Sequence, residues 1–426
     1  MVSDFFYPNV GGVEGHIYAL SQHLMKRGHK VIVITHAYQP DRSNVRHLSS
    51  GLKVYHVPYR VIARQDTLPN FFAFFPILRS ILIRENIQII HAHQALSSMG
   101  LEALLHGRTM GLRTVFTDHS LFGFADTASI LTNKLLHFFL SDIDHVICVS
   151  HTAKENTVLR ANIKDPSKVF VIPNAIVSEQ FTPRTEIVEK AKDKITIVLL
   201  SRLMYRKGID LLVGAIPRLC EQHPEISFII GGDGPKRIEL EQVREQYALY
   251  DRVELCGAIR QGNVRDHLIK GDIFLNTSLT EAFGTGIIEA ASCGLFVVST
   301  RVGGIPEVLP PHMIRLAKPE EDDIVDVVHD AIEYVKTGRH DPQMHHETVQ
   351  KMYSWSDVAE RVEKVYSSAQ KQEIPSFIER LMLYRTVGPI AGIIFCIIAT
   401  VDVLFHSLLN ILVPVETIDI IPNATV

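Results

Sequence analysis

The chain has 426 residues, 46% hydrophobic and 21% charged, which is enough for two packed domains and too apolar for a disordered or collagen-like chain. A formal net charge of −4 offers no overall basic field for nucleic acid. The five cysteines, Cys148, Cys220, Cys256, Cys293 and Cys396, form no CxxC pair and no Cys/His cluster of zinc spacing, so they read as reduced structural thiols of a cytosol-facing protein.

In chain order, Met1–Ser3 is the place for a first strand, shorter than the usual five or six residues. Either part of it is absent from this chain or the strand is a stub. It is followed by DFFYP, without the basic and apolar regions of a secretory signal. Val13–Arg27 is predicted helical, because Ile17, Leu20 and Leu24 share a stripe and Gly28 offers a stop. The runs Lys30–Thr35, Ile87–His91, Arg113–Thr117, His145–Ser150 and Lys168–Ile172 suit strands of a parallel sheet buried on both faces. After the polar stretch 178–194, a second series begins: Ile195–Leu200, Ile226–Ile230, Arg252–Cys256, Asp272–Asn276 and Phe296–Ser299, with helices between. Alternation of this kind means βαβ units and two doubly wound α/β domains.

Ligands of such sheets bind at the carboxyl ends of the strands, so those loops carry the chemistry. Gly11 and Gly12 let the backbone approach a ligand before a helix, although the loop is not a dinucleotide fingerprint. Thr117–Ser120 places His119 just past a strand. Arg202 and Lys207, in SRLMYRKG, offer a guanidinium fork and a compact ammonium to phosphate oxygens. Gly231–Pro235, with Gly232, is a turn that lets the backbone close on a ligand. The most specific loop is EAFGTGIIE. Glu281 and Glu289 flank Phe283, Gly284 and Thr285, whose backbone N–H groups open a helix, and a carboxylate is a strong acceptor for sugar hydroxyls. Plainer readings exist for each loop: a tight turn, a satisfied loop histidine, solvated cations, a capping glutamate. Asp142-Ile143-Asp144 has the spacing of a metal motif but directly precedes a strand, and it reads as a turn.

Two further segments point to a membrane. Thr386–Val413 is apolar over a length that spans hydrocarbon, interrupted by Asp402 and His406. Arg380 and Arg385 precede it and no Lys or Arg follows, which places the bulk of the chain in the cytosol. A buried hairpin of a soluble protein is the competing reading. Phe71, Phe72, Phe74 and Phe75, flanked by Arg60 and Arg64, suit contact with anionic lipid, and equally a core helix. Asn423-Ala424-Thr425 is a glycosylation triplet by pattern alone.

ExFGxGxxE, the early Gly-Gly loop, the histidine after an N-terminal strand and SRLxxxKG together resemble the GT-B glycosyltransferase family 4 over nearly all of residues 1–369. SDFFYPNVGGVEGHIY and SRLMYRKGIDLL are similar to the branch of that family that opens GPI-anchor synthesis. The resemblance implies a GT-B fold, two Rossmann-like domains facing a cleft, with a C-terminal transmembrane helix. The implied division is an acceptor domain at 1–177, a linker at 178–194, a UDP-sugar domain at 195–354, a helix at 355–370, a span at 386–413 and a lumenal tail at 414–426.

The resemblance also implies transfer of N-acetylglucosamine from UDP-N-acetylglucosamine to phosphatidylinositol, with retention and without an essential metal or cofactor. The expected setting is the cytosolic face of the endoplasmic reticulum membrane, in a single-pass chain with other membrane subunits as partners. Arg202 and Lys207 would hold the diphosphate and Glu289 the ribose. Glu281, Phe283 and Gly284 would hold the sugar. Gly11 and Gly12 would admit the diphosphate or the acceptor, and His119 would line the sugar site. A transferase of other sugar or acceptor, or a non-catalytic scaffold, is the alternative reading.

Overall fold

The computed structural model describes all residues except 10, 39–41, 60, 64–65, 68, 123–126, 185–193 and 422–426. Arg60, Arg64 and the Asn423 triplet therefore lie outside the described residues, as does much of the expected linker. The chain forms two units, Met1–Pro173 with Trp355–Val426, and Asn174–Ser354.

The first unit opens with a stub. Val2 bridges in parallel to Ile34 on one side and to Ala92 on the other, donating its N–H to the His91 carbonyl at 2.9 Å. It is followed by α1 (Gly12–Lys26), β1 (Ile32–His36), β2 (Asn44–His47), β3 (Lys53–Val57), the small pair β4 (Val61–Ala63) and β5 (Asp66–Thr67), and α2 (Phe71–Arg84). Then come β6 (Ile89–His93), α3 (Ser98–Thr109), β7 (Arg113–Asp118), α4 (Thr127–Leu140), β8 (His145–Cys148), α5 (His151–Arg160) and β9 (Val169–Val171). The order β2-β3-β1 continues through Val2 into β6-β7-β8-β9. Counted with the stub as first strand, this is a doubly wound sheet whose switch point lies between Val2 and β6. Side-chain oxygens of Ser97 and Ser150 cap α3 and α5, accepting from Gly100 N at 3.0 Å and Ala153 N at 3.1 Å.

The second unit runs β10 (Ile195–Leu200), α6 (Ile209–Gln222), β11 (Ile226–Gly231), α7 (Arg237–Gln246), β12 (Val253–Gly257), α8 (Val264–Leu268), β13 (Ile273–Asn276), α9 (Thr285–Ser292), β14 (Phe296–Thr300), β15 (Ile314–Ala317), α10 (Glu321–Lys336) and α11 (Pro342–Met352). Its strands are all parallel in the order β12-β11-β10-β13-β14-β15, the dinucleotide-type winding, with the switch between β10 and β13. Ile197, Leu199, Phe228, Ile230 and Phe296 form its core with Leu212 and Ile216 of α6.

The chain then returns to the first unit as α12 (Trp355–Lys371), α13 (Phe377–Arg385) and α14 (Ala391–Leu412). Residues 355–370 are thus part of the N-terminal unit rather than a trailing element. The α12 helix lies on α1, with Arg27 paired to Glu363, and its Tyr366 hydroxyl is 2.7 Å from His91 Nδ1. The apolar segment is helical only from Ala391, because Gly388 and Pro389 break it. At mean hydropathy 2.2 over its most apolar window, α14 is long and apolar enough to cross a membrane.

Because Val2 is 2% exposed and supplies the ladder between two half-sheets, Val2→Asp buries an unpaired charge there. It is expected to destabilise the first unit by about 3–5 kcal/mol, seen as a lowered urea midpoint for that unit while the second unit's transition stays in place.

Candidate functional site

Each unit gathers its polar side chains at the carboxyl ends of its central strands. In the second unit, three strand-end loops interlock through the backbone. Gly208 sits at φ 65°, and a Cβ there would lie 1.8 Å from the Thr277 carbonyl oxygen. Gly232 sits at φ 133°, where a Cβ would lie 1.8 Å from the Ser201 carbonyl oxygen. No L side chain fits either place. Thr277 Oγ1 donates to the Lys207 carbonyl at 2.9 Å, and Leu203 N–H donates to the Asp233 carbonyl at 2.9 Å. The loops after β10, β11 and β13 are thereby held as one platform.

On that platform Lys207 Nζ donates to Glu281 Oε1 at 2.6 Å, with both side chains about four-fifths buried. The cation expected on phosphate and the carboxylate expected on sugar therefore meet each other. Arg202, earlier in the same loop, is exposed. Phe283 is buried, edge-on to Tyr353 at 5.5 Å, and anchors the loop before α9. Gly284, Thr285 and Gly286 open α9 with backbone N–H groups unpaired by helix geometry, and Glu289 follows one turn along. Burial pushes the Glu289 carboxyl up to about 7, moderated by a hydrogen bond from the Gln261 side chain.

In the first unit, His119 follows β7 and meets two histidines that no sequence motif singles out. His93, at the end of β6, brings Nδ1 within 3.3 Å of His119 Nε2, and the rings stack. His16, one turn into α1 after Gly11 and Gly12, packs edge-on to His119 at 4.6 Å and to Trp355 at 5.3 Å. Burial, reinforced by the neighbouring imidazoles, holds His93 and His119 well below the usual histidine value, so both are neutral at pH 7. One ligand nitrogen from each of His16, His93 and His119 lies within 4.8 Å of the others, the spacing at which three imidazoles can hold a metal ion. The His93–His119 hydrogen bond satisfies part of the same group without one.

Asp118 does not orient the His119 ring. It accepts from Ser120 N at 3.1 Å, from Thr157 Oγ1 at 3.0 Å and from Arg160 at 3.2 Å, so it fastens the turn and α5. Asp142 and Asp144 are likewise structural. Asp144 pairs with Arg108 at 2.7 Å, and Asp142 accepts from Arg380 at 2.9 Å and from the Tyr384 hydroxyl at 2.6 Å.

The aromatic run needs correction. Phe74 and Phe75 are fully buried, Phe75 against His106 at 4.1 Å, because α2 packs that face on α3. They face no lipid. Phe72, nearer the start of α2, is 65% exposed, while the Phe71 side chain lies outside what the structure describes.

A relative in Schizosaccharomyces pombe, named phosphatidylinositol N-acetylglucosaminyltransferase gpi3 subunit, is 56% identical over 98% of this chain and 91% of its own length. A human relative, named as one of the subunits of phosphatidylinositol N-acetylglucosaminyltransferase, is 53% identical over 100% of this chain and 87% of its own. This chain belongs to the glycosyltransferase family of GPI-anchor biosynthesis. The profile described as PIGA (GPI anchor biosynthesis) matches residues 36–126, and that of glycosyl transferases group 1 matches residues 182–355. The second match covers nearly the whole unit that carries Lys207, Glu281 and Glu289. Sucrose-phosphate synthase from Thermosynechococcus elongatus, 21% identical, matches 84% of this chain and 93% of its own with a TM-score of 0.70, which establishes the GT-B fold.

Two measurements test the second unit's site. Gly232→Ala places a methyl against the Ser201 carbonyl and is expected to cost about 2–4 kcal/mol, seen as a lowered urea midpoint of the second unit. Glu289 has a folded pKa above its ordinary value of 4.5, so ionising it disfavours the folded unit. That cost is absent below about pH 4.5, grows through pH 7 and is complete above it. Glu289→Gln should therefore be more stable than the parent at pH 8, by on the order of 1–3 kcal/mol, and equal to it at pH 4.5. Equal urea midpoints at both pH values would remove the buried-carboxyl account.

Proposed function

We propose that this chain is the sugar-transferring subunit of an enzyme that moves N-acetylglucosamine from UDP-N-acetylglucosamine to phosphatidylinositol, with retention, in the first step of GPI-anchor biosynthesis. The observation that carries the reading is identity above half, along the full chain, with relatives that bear that enzyme's name. Those names describe subunits, which supports partner subunits for this chain as well. Further support comes from the second unit, where the glycosyl transferases group 1 match holds Lys207, Glu281 and Glu289 on loops locked together through the backbone.

In this reading Lys207 and Arg202 neutralise the departing diphosphate, and the N–H groups that open α9 add to them. Glu281 exchanges its contact with Lys207 for one shared with sugar and phosphate. Glu289 accepts from the ribose hydroxyls. His119 lines the sugar site as a neutral ring that accepts or donates a hydrogen bond without bringing charge to an oxocarbenium-like centre. The acceptor hydroxyl attacks from the face the diphosphate leaves, so the main demands are alignment and charge stabilisation, and no metal is assigned a role. The proposed location is the endoplasmic reticulum membrane, with α14 as the single membrane segment and the strand-end loops of both units opening to the cytosolic side, consistent with Arg380 and Arg385 ahead of it.

Membranes carrying this chain with its partner subunits, given labelled UDP-N-acetylglucosamine, should label phosphatidylinositol. Lys207→Ala should lower the rate by about 100-fold or more, and Glu289→Ala should weaken UDP binding by about tenfold or more. Label that enters another lipid, or none, would overturn the assignment of donor and acceptor. Full activity of Lys207→Ala would overturn the phosphate role.

A further inference from the structure

The outer helix α14 has polar residues along a face that ought to be purely apolar, and each of them is spoken for. We infer that the N-terminal catalytic unit is itself immersed in the membrane, latched to α14 along its length, instead of hanging from it on a tether. The inference rests on the membrane assignment made above.

Contact begins at the first turn of α14. A Cβ on Gly392 would lie 2.6 Å from the Arg385 carbonyl oxygen, so α14 runs tight against α13. One turn on, Phe395 stacks on Phe138 of α4 at 4.2 Å and 7°. At mid-helix, buried Asp402 accepts from His106 Nδ1 at 2.7 Å and from Thr109 Oγ1 at 2.6 Å, both on α3. Phe405 packs edge-on to Phe72 and Phe75 of α2. In the last turn Asn410 accepts from the buried Arg79 guanidinium of α2 at 2.7 Å.

An unpaired carboxylate in hydrocarbon is costly, and removing the partner of a buried charge is more damaging than never having the pair. Asp402 is midway along an apolar helix, so wherever α14 sits in lipid, His106 and Thr109 must be at the same depth. That places the outer ends of α2, α3 and α4 beside the acyl chains. The exposed surface agrees. Ile394, Ile397, Leu404 and Leu408 line the free face of α14, each 47% exposed or more. Phe72 of α2 is 65% exposed and touches Phe405, and Leu131 of α4, the helix that carries Phe138, is 62% exposed. Such apolar surface, on a helix of membrane-spanning hydropathy and on the helices packed against it, fits lipid chains. An acceptor whose sugar-accepting group sits at a membrane surface would then meet a unit held at fixed depth and tilt.

The test uses the full chain in proteoliposomes containing doxyl-labelled phosphatidylcholine. Partly exposed Cys256 and Cys396 are replaced by serine, and single fluorescent cysteines are placed by Phe72→Cys, Leu131→Cys, Leu404→Cys and, in the other unit, Tyr247→Cys. Quenching by about twofold or more is expected at 72, 131 and 404, and none at 247. Quenching at 404 alone would overturn the immersed unit while leaving the membrane assignment intact. No quenching at any position would mean that a protein covers α14, and would overturn both. Asp402→Leu separates latch from anchor. This variant should stay in the membrane and bind UDP normally, yet lose quenching at 72 and 131 and lose transfer to the lipid by about tenfold or more. Asp402→Asn, which still accepts from His106 and Thr109, should restore both. Unchanged quenching and transfer in Asp402→Leu would show that the latch does not hold the unit in place.

Discussion

The platform of loops in the second unit depends on backbone meeting backbone. Where Gly208 lies under the Thr277 carbonyl and Gly232 under the Ser201 carbonyl, three loops that leave different strands are closer than any side chain permits. Lys207 and Glu281, 74 residues apart in the chain, are held at hydrogen-bonding distance by loops that are locked together. The charged pair is thus a product of steric fit, and the electrostatics follow from it. This order of causes matters for a group-transfer site: pre-set positions cost no reorganisation when charge develops.

The N-terminal unit solves a different problem by different means. Among the described residues no carboxylate pairs with His93 or His119, so the two rings, one buried and one partly exposed, stay neutral and satisfy one another. His91, on the same strand face as His93, is held by Tyr366 and Thr117 at 2.7 and 2.6 Å. The strand alternation that places residues 91 and 93 on one face also stacks their rings, at 4.2 Å. A layered set of uncharged imidazoles can donate and accept hydrogen bonds without a fixed field.

Much of this is legible in the sequence. Parallel strands buried on both faces leave continuous apolar runs, so the two sheets and most strand positions can be read, and EAFGTGIIE marks α9 and its glutamates. Other features are hidden for identifiable reasons. The strand expected at Ile87–His91 lies two residues later, at Ile89–His93, because Ile87 and Gln88 look no different from strand residues. His93 closes the true strand and belongs to no glycine-rich or charged motif, so nothing in the sequence sets it apart from other strand-end residues. The continuous apolar character of Phe71–Leu78 gives no period by which to tell inward from outward rings, so only packing against α3 separates Phe75 from Phe72. Asp402 looks like a flaw in an apolar segment, since its partner His106 lies 296 residues earlier.

The first unit is built from both ends of the chain. Trp355 packs on His16, Arg361 donates to the Val171 carbonyl, His145 reaches Ser368, and Arg380 and Tyr384 close on Asp142. These contacts cannot form during synthesis until the last helices have left the ribosome. The second unit, whose strands are contiguous in the chain, has everything it needs well before that. Its maturation therefore precedes that of its neighbour, and the N-terminal sheet must wait, with its α12-facing surface uncovered, through the translation of roughly the second half of the protein. Premature termination anywhere after the second unit would leave a folded nucleotide-type domain joined to an unfinished one, a natural substrate for chaperones and quality control.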